Sequence, residues 1–407
     1  MKDEIHKKII QIEKEISERQ KDISDISLFQ GMGGLPIFYF LLYKLTNKEE
    51  YRDKIHVVIE NITNLLNTGD YSLTYCDGLT GIGYMLNFIK NKEILTNEVN
   101  FEIEESLEFI DQCIVEFALK NTKGIEELDF LHGAFGAAFY LNERLKNNKN
   151  PELKNKVTVF FELLSTIVIK EVEKTNKVKN VIDIDNSTQR TNCGLAHGHI
   201  SYILIFSDFL AQFKDNNLVF EALKKSVSCL LEFENNDKNN LSAYPSIAVN
   251  KNTGDYNVSL GWCYGDQTIS LGLYKASLIL NDNNIKNIAF RLAFRNMERN
   301  TIEKMFATPF YDAGFCHGLS GIAYLHKKWS IISTDKKFYE LYENLINDIL
   351  ELSCKNDGIA GFKKFNGNGY FVDSIGMLDG VIGIGMVLID YLLEEKDNDW
   401  DSLFLLN

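Results

Sequence analysis

Two short segments, Gly261-Trp262-Cys263-Tyr264-Gly265 and Phe315-Cys316-His317-Gly318, set two cysteines and a histidine immediately ahead of a glycine. Two thiolates and one neutral imidazole are a ligand set for a zinc ion that keeps one coordination position open. A thiol entering that position is deprotonated near neutral pH instead of at its ordinary pKa of about 8.5. Free cysteine is also a common core filler, so the ligand reading depends on where these residues fall. A purely structural zinc would recruit a fourth protein ligand, and Cys76 or Cys193 could supply it.

The placement is set by a repeat. A Gly-x-x-Gly step followed by an apolar helical run begins at Gly31, Gly78, Gly133, Gly198, Gly265, Gly318 and Gly380. Ser201 and Thr268 stand where the fourth and fifth copies would have their second glycine. The starts are roughly 50 to 65 residues apart, room for two helices and a loop. Runs that are apolar on all sides belong inside, and glycines in their first turn let neighbouring backbones approach closely.

Amphipathic stretches separate the copies. From Glu49 to Asn67, Tyr51, Ile55, Val58, Ile59, Ile62, Leu65 and Leu66 recur at helical spacing with charges opposite, the pattern of an outer helix. The expectation is an all-α fold, a closed α/α toroid of seven inner and seven outer helices. It forms one domain over residues 1–407, with 1–27 as an N-terminal helical extension. A 45% apolar content and only 4 prolines suit such a core of uninterrupted helices. One small β-hairpin insertion is expected between Leu241 and Val258, around an Asn-Thr-Gly-Asp turn that leads the chain to Cys263.

Repeat symmetry places the two residues before each motif glycine at one end of the toroid, at inner-helix N-termini. Chance would put about a quarter of one cysteine in those positions, yet Cys76, Cys263 and Cys316 are there, and so are His132, His197 and His317. A helix N-terminus favours anions and lowers thiol pKa, so one mouth of the ring collects the reactive groups. Cys113, Cys229 and Cys354 fall in amphipathic segments and read as core fillers. Asp77 and Asp379 read as helix caps, and His132 and His199 as bystanders.

The net charge of -14 argues against nucleic acid and anionic membrane as partners. The charged start lacks the apolar core of a signal peptide, and no run of 18 uninterrupted apolar residues occurs, which gives a cytoplasmic expectation with no integral membrane segment. Seven cysteines in a chain this long do not form a disulfide framework.

The glycine-led repeats together with Gly-Trp-Cys-Tyr-Gly and Phe-Cys-His-Gly resemble the lanthionine synthetase C-like family, the lanthipeptide cyclases, from roughly Leu28 to Leu393. The resemblance implies catalytic Zn2+ held by Cys263, Cys316 and His317. It also matches a family histidine to His197 in Ala196-His197-Gly198, an aspartate to Asp129, and a tyrosine to Tyr264. Family members often carry an arginine four residues before the first zinc cysteine; this chain has Ser259.

The implied reaction is a Michael-type addition of a peptide cysteine thiolate to dehydroalanine or dehydrobutyrine, followed by protonation at the α-carbon to leave a (methyl)lanthionine thioether. Histidine is the residue type suited to that proton transfer, so His197 is expected as general acid. Asp129 would orient it, or merely cap the third inner helix, and Tyr264 would donate to the enolate oxygen. The expected partner is a dehydrated precursor peptide, with a lanthipeptide dehydratase and an exporter as further candidates. The sequence has no N-terminal dehydration domain, so the dehydrated substrate is expected from another protein.

Other readings stand beside this one. The same fold could add glutathione or another small thiol to dehydroamino acids, and Ser259 keeps that open. It could instead be a non-catalytic zinc-bearing scaffold for a dehydratase or a leader peptide. A carbohydrate enzyme would need paired carboxylates; Asp129, Asp266 and Asp379 are candidates but leave the cysteines unexplained.

Overall fold

The computed structural model describes residues 1–66, 71–124, 127–175, 190–237, 239–250, 253–355, 357–395 and 399–407. In chain order its helices are α1 (Lys2–Arg19), α2 (Leu35–Thr46), α3 (Glu50–Leu66), α4 (Leu79–Lys90), α5 (Asn97–Asn121), α6 (Ala134–Asn147), α7 (Pro151–Thr175) and α8 (His199–Gln212). There follow α9 (Asn217–Leu231), α10 (Asp266–Leu280), α11 (Asn283–Met297), α12 (Ile302–Met305), α13 (Leu319–Ser333), α14 (Lys336–Leu352) and α15 (Val381–Leu393). Every expected glycine start leads into a helix: α4, α6, α8, α10, α13 and α15 begin on the next residue, and α2 follows a short 3-10 turn at Met32–Gly34.

The motif glycines are required by close approach. A Cβ on Gly198 would lie 2.3 Å from the Asn192 carbonyl oxygen, and one on Gly321 would lie 1.9 Å from that of Phe315. Gly265 has φ +119, a conformation other residues rarely adopt. Where the second glycine is replaced, Ser201 and Thr268 turn their hydroxyls back onto the carbonyls of Gly198 and Gly265, at 2.7 and 3.2 Å.

The chain divides into two compact units. The first comprises Met1–Gln112 and Phe310–Asn407, and the second Cys113–Pro309. In the first unit the buried helices pack in the order α13, α15, α2, α4, with α3 laid on α2 and α14 on α13. Helix α1 buries Ile5, Ile9, Ile12 and Ile16, a 3.6-residue stripe, and packs on α15. In α3 the expected face is buried at Tyr51, Ile55, Val58, Ile59 and Ile62; Asn67, the end of the expected helix, lies outside the described residues.

The first unit is filled by the C-terminal 3-10 segment Asp399–Phe404. Phe404 stacks on Phe315 with ring centroids 3.9 Å apart, and the Tyr75 hydroxyl donates to the Leu403 carbonyl. Buried Asp390 accepts from Lys327 at 2.5 Å and from the Trp400 indole at 3.1 Å. Buried Asp401 is paired with Lys328 at 2.8 Å and takes the Tyr324 hydroxyl at 2.9 Å.

In the second unit α6 packs on α8 and α8 on α10, with α7, α9 and α11 on their flanks. The expected hairpin is there as β2 (Ile247–Asn250) against β3 (Thr253–Gly254), and β1 (Thr191–Asn192) adds a third antiparallel strand. Residues 251 and 252, which include part of the expected turn, lie outside the described residues. A second hairpin, β4 (Lys364–Phe365) with β5 (Phe371–Val372), belongs to the first unit. Among the described residues no helix is long and apolar enough to cross a membrane.

Candidate functional site

Loops ahead of successive buried helices are fastened by one repeated device. The backbone N–H groups of Leu195 and Ala196 both donate to the carbonyl of Cys263, at 2.8 and 3.3 Å. In the first unit Phe315 and Cys316 donate in the same way to Leu378, and Met377 and Leu378 to Phe29. Each acceptor lies two residues before the next motif glycine. Side chains at the -1 and -2 positions are thereby held in fixed register from one loop to the next.

In the second unit this fastening gathers His197, Asp129, Tyr264 and Cys263. His197 Nδ1 lies 2.9 Å from Asp129 Oδ2; a carboxylate only accepts, so Nδ1 donates and Nε2 is left to exchange a proton. The other Asp129 oxygen accepts the His132 backbone N–H at 2.7 Å. Asp129 therefore braces its own loop and the histidine together. Its side chain is 7% exposed and the His197 side chain 23%, so the pair is shielded on one side and open on the other.

Tyr264 is held by its neighbours. Its hydroxyl accepts from Asn192 Nδ2 at 3.0 Å. The ring fills the space where a Gly194 Cβ would stand, 2.5 Å from that position. Ser259 accepts the Ala307 N–H at 2.9 Å and so serves as a backbone brace; it offers no cation.

In the first unit Cys316 and His317 occupy the loop before α13, and His317 is 43% exposed. Asp379 Oδ1 lies 3.9 Å from His317 Nδ1, and Asp379 Oδ2 accepts from Lys364 at 2.7 Å. Buried Asp312 accepts from Gly314 and Phe365 backbone N–H groups at 2.8 Å each, tying the ligand loop to the second hairpin. Burial pushes the Asp312 carboxyl upward, and the His317 charge and those two bonds oppose it.

Several expectations change at this point. Asp77 and Asp379 are not caps: Gly78 and Gly380, which have no side chain to bond with, hold the cap positions. Cys354 is exposed in a 3-10 turn, whereas Cys229 is buried as expected. His132 stacks on His197 with ring centroids 5.7 Å apart, so it belongs to the site's surroundings. His199 is fully buried, its Nε2 donating to the Ser226 carbonyl at 2.9 Å. Cys193 is fully buried and burial pushes its thiol upward, which makes it a poor metal ligand.

The second hairpin, with Lys364, went unread in the sequence although Asn366-Gly367-Asn368-Gly369 is a turn signal. Cysteine and histidine groups that could bind a metal ion are present in both units, Cys263 in the second and Cys316 with His317 in the first. Neither cysteine is in a disulfide, and two thiols plus an imidazole fit zinc.

A model of the "lanthionine synthetase C-like protein" family matches residues 22–405. The chain belongs to the lanthionine synthetase C-like family. Among solved structures it is similar to nisin cyclase, with a TM-score of 0.75 and 20% identity over 99% of this chain and 96% of that one. That likeness shows the fold, an α/α toroid as the repeats led us to expect. A possible member of the GH105 family from Salmonella enterica serovar Paratyphi A aligns at a TM-score of 0.40 and 11% identity, over 96% and 94% of the two chains, and carries no argument. A search of the curated proteins finds no match.

Proposed function

We propose that the protein is a zinc-dependent lanthipeptide cyclase acting in the cytoplasm on a precursor peptide already dehydrated by a partner enzyme. The observation that carries this reading is the His197–Asp129 pair, held in register with the Cys263-Tyr264 loop by two backbone bonds to the Cys263 carbonyl. Cys263, Cys316 and His317 would hold the ion within one toroid domain. Bound zinc would supply a peptide cysteine as thiolate near neutral pH.

The remaining work falls to side chains. As the thiolate sulfur bonds to the β-carbon of a dehydroalanine, the alkene electron pair moves toward the adjacent carbonyl oxygen. Tyr264 would donate to that oxygen, its hydroxyl already polarised by the bond it accepts from Asn192. His197, protonated and oriented by Asp129, would deliver a proton from Nε2 to the α-carbon, leaving neutral imidazole and a thioether. The gain over free solution comes mainly from holding one thiol against one alkene.

The direct test is to follow free thiols in a dehydrated precursor peptide: they should disappear faster with the protein than without it. Equal rates would refute cyclase activity for that substrate. Purified protein should contain zinc, and Cys316→Ala should remove it. Because Ser259 provides no cation, small-thiol addition is the second reading; adducts formed on a dehydrated peptide in the presence of glutathione, with no rings, would favour it.

A further inference from the structure

Helix α5 carries a face that the fold does not use. Its core side is an ordinary apolar stripe, on which Ile103, Leu107 and Ile110 are at most 4% exposed. On its outer side Phe101 and Phe109 are 65% and 67% exposed, more than any other phenylalanine among the described residues. Large apolar side chains scattered singly over a surface are ordinary. These two are eight residues apart with Glu105 midway between them, so all three lie along one i+4 ridge of the helix.

Glutamates occupy the rest of this face. Glu98, Glu102, Glu105 and Glu108 are exposed, and none of them enters an ion pair among the described residues. Lys90 pairs instead with Glu104, a half-buried residue of the same helix, at 2.7 Å. Residues 97–109 contain no Lys, Arg or His. Like charges three and four apart on a helix repel one another, and a cation brought to the face relieves that repulsion.

The chemistry of the occupant follows from these charges. Four carboxylates repel nucleic acid, an anionic membrane and a second copy of the same face, which leaves a cationic partner. An extended strand would look to the surface for backbone hydrogen bonds. Helix α5 offers none along this face, because the N–H and C=O groups of a helix interior bond to one another. A helix satisfies its own backbone and presents grooves into which an i+4 ridge packs. We propose that the ridge of Phe101, Glu105 and Phe109 docks a basic amphipathic helix of another protein. Its apolar side covers the two rings, and its lysines or arginines face Glu98, Glu102 and Glu108. At 1.5 Å per residue the rings stand about 12 Å apart along the axis, a separation matched by apolar residues seven or eight apart on the partner. This interaction is separate from ring closure and uses none of its residues.

The test uses the full chain and a fluorescein-labelled, fourteen-residue peptide of leucine and lysine with the leucines on one helix face. Binding is followed by fluorescence anisotropy at about 0.15 M salt, where attraction by the chain's distant charges is screened. The comparison peptide has the same composition with leucine and lysine alternating, so that it presents no apolar helical side. The helical pattern should bind more tightly by about tenfold or more. Phe101→Ser combined with Phe109→Ser preserves the charge and should weaken that binding by about tenfold, as should Glu102→Lys combined with Glu105→Lys. Glu340→Lys combined with Glu351→Lys makes the same change of charge on α14 and should leave it unaltered. All these side chains are exposed, and unchanged urea midpoints would show that the variants fold. Equal binding of the two peptides, no binding by either, or indifference to both pairs of α5 substitutions would overturn the proposal. So would a dimer that the serine pair makes monomeric, or attachment to anionic vesicles that the serine pair abolishes, since a second copy or a membrane would then be the occupant.

Discussion

At the scale of single residues, the candidate acid and its orienting carboxylate make separable demands. His197→Ala should slow ring closure by about 10² to 10⁴ while leaving bound zinc in place, because the histidine moves a proton and holds no metal in this reading. Asp129→Asn should fall between wild type and that variant, since an amide can still accept from Nδ1 but does not stabilise the imidazolium. Measured rates of thiol loss set beside metal content decide this; loss of metal in His197→Ala would contradict the division of roles. Buried histidines give a different prediction. Burial lowers His199 to about 4 and His326 to about 3, below the ordinary value of about 6.5. The unfolded chain therefore takes up protons first as pH falls. These groups contribute no penalty above about 6.5, and stability declines from there toward 4 and, for His326, toward 3. Urea midpoints at neutral pH and near pH 5 should show a smaller decline for His199→Gln, and an equal decline would exclude His199 as a cause. Buried Asp266, pushed upward by desolvation, acts in the opposite direction. Cys263, Cys316, His317 and His197 could be singled out as candidates in the sequence because the repeat register marks them. The stacking of His132, the bracing by Asn192 and the Lys364–Asp379–His317 chain were not, since nothing in one repeat records what the adjoining loop brings near it.

At the scale of elements, helix pattern and glycine register carried the reading. Seven starts were visible because a steric requirement recurs at each: a side chain on the first or second glycine would strike a carbonyl of the preceding loop. Gly321→Ala tests this where it matters most, because its Cβ would meet the Phe315 carbonyl beside Cys316. We expect a loss of about 1 to 3 kcal/mol in stability, as for other overpacked sites, together with weakened zinc retention. Zinc retained as in wild type would mean that the loop can shift without disturbing its cysteine. The β4–β5 hairpin was missed because its strands are two residues each, too short for alternation to show, and only the Asn-Gly pairs mark it. The third strand, β1, has the same explanation: two residues whose pairing partner is remote in sequence.

At the scale of the whole molecule, an aromatic and ionic plug, Asp399–Phe404, fills the core of the first unit. Trp400→Ala removes a fully buried indole and its bond to Asp390, and should cost about 3 to 5 kcal/mol. Asp390→Asn leaves Lys327 charged and buried and should cost a similar amount, about 3 to 5 kcal/mol. Chemical denaturation of both variants checks this, and a change below about 1 kcal/mol in either would show that the segment is a loose appendage. The apolar periodicity of the helices disclosed the core, but a buried Lys–Asp pair is invisible in sequence because both residues ordinarily face water. The first unit is also assembled from two separated stretches, Met1–Gln112 and Phe310–Asn407, whereas the second is one continuous stretch. On the ribosome the usual order is therefore inverted. Residues 113–309 can fold as they emerge, while the helices of residues 1–112 keep their apolar faces uncovered until residues 310–407 have been translated.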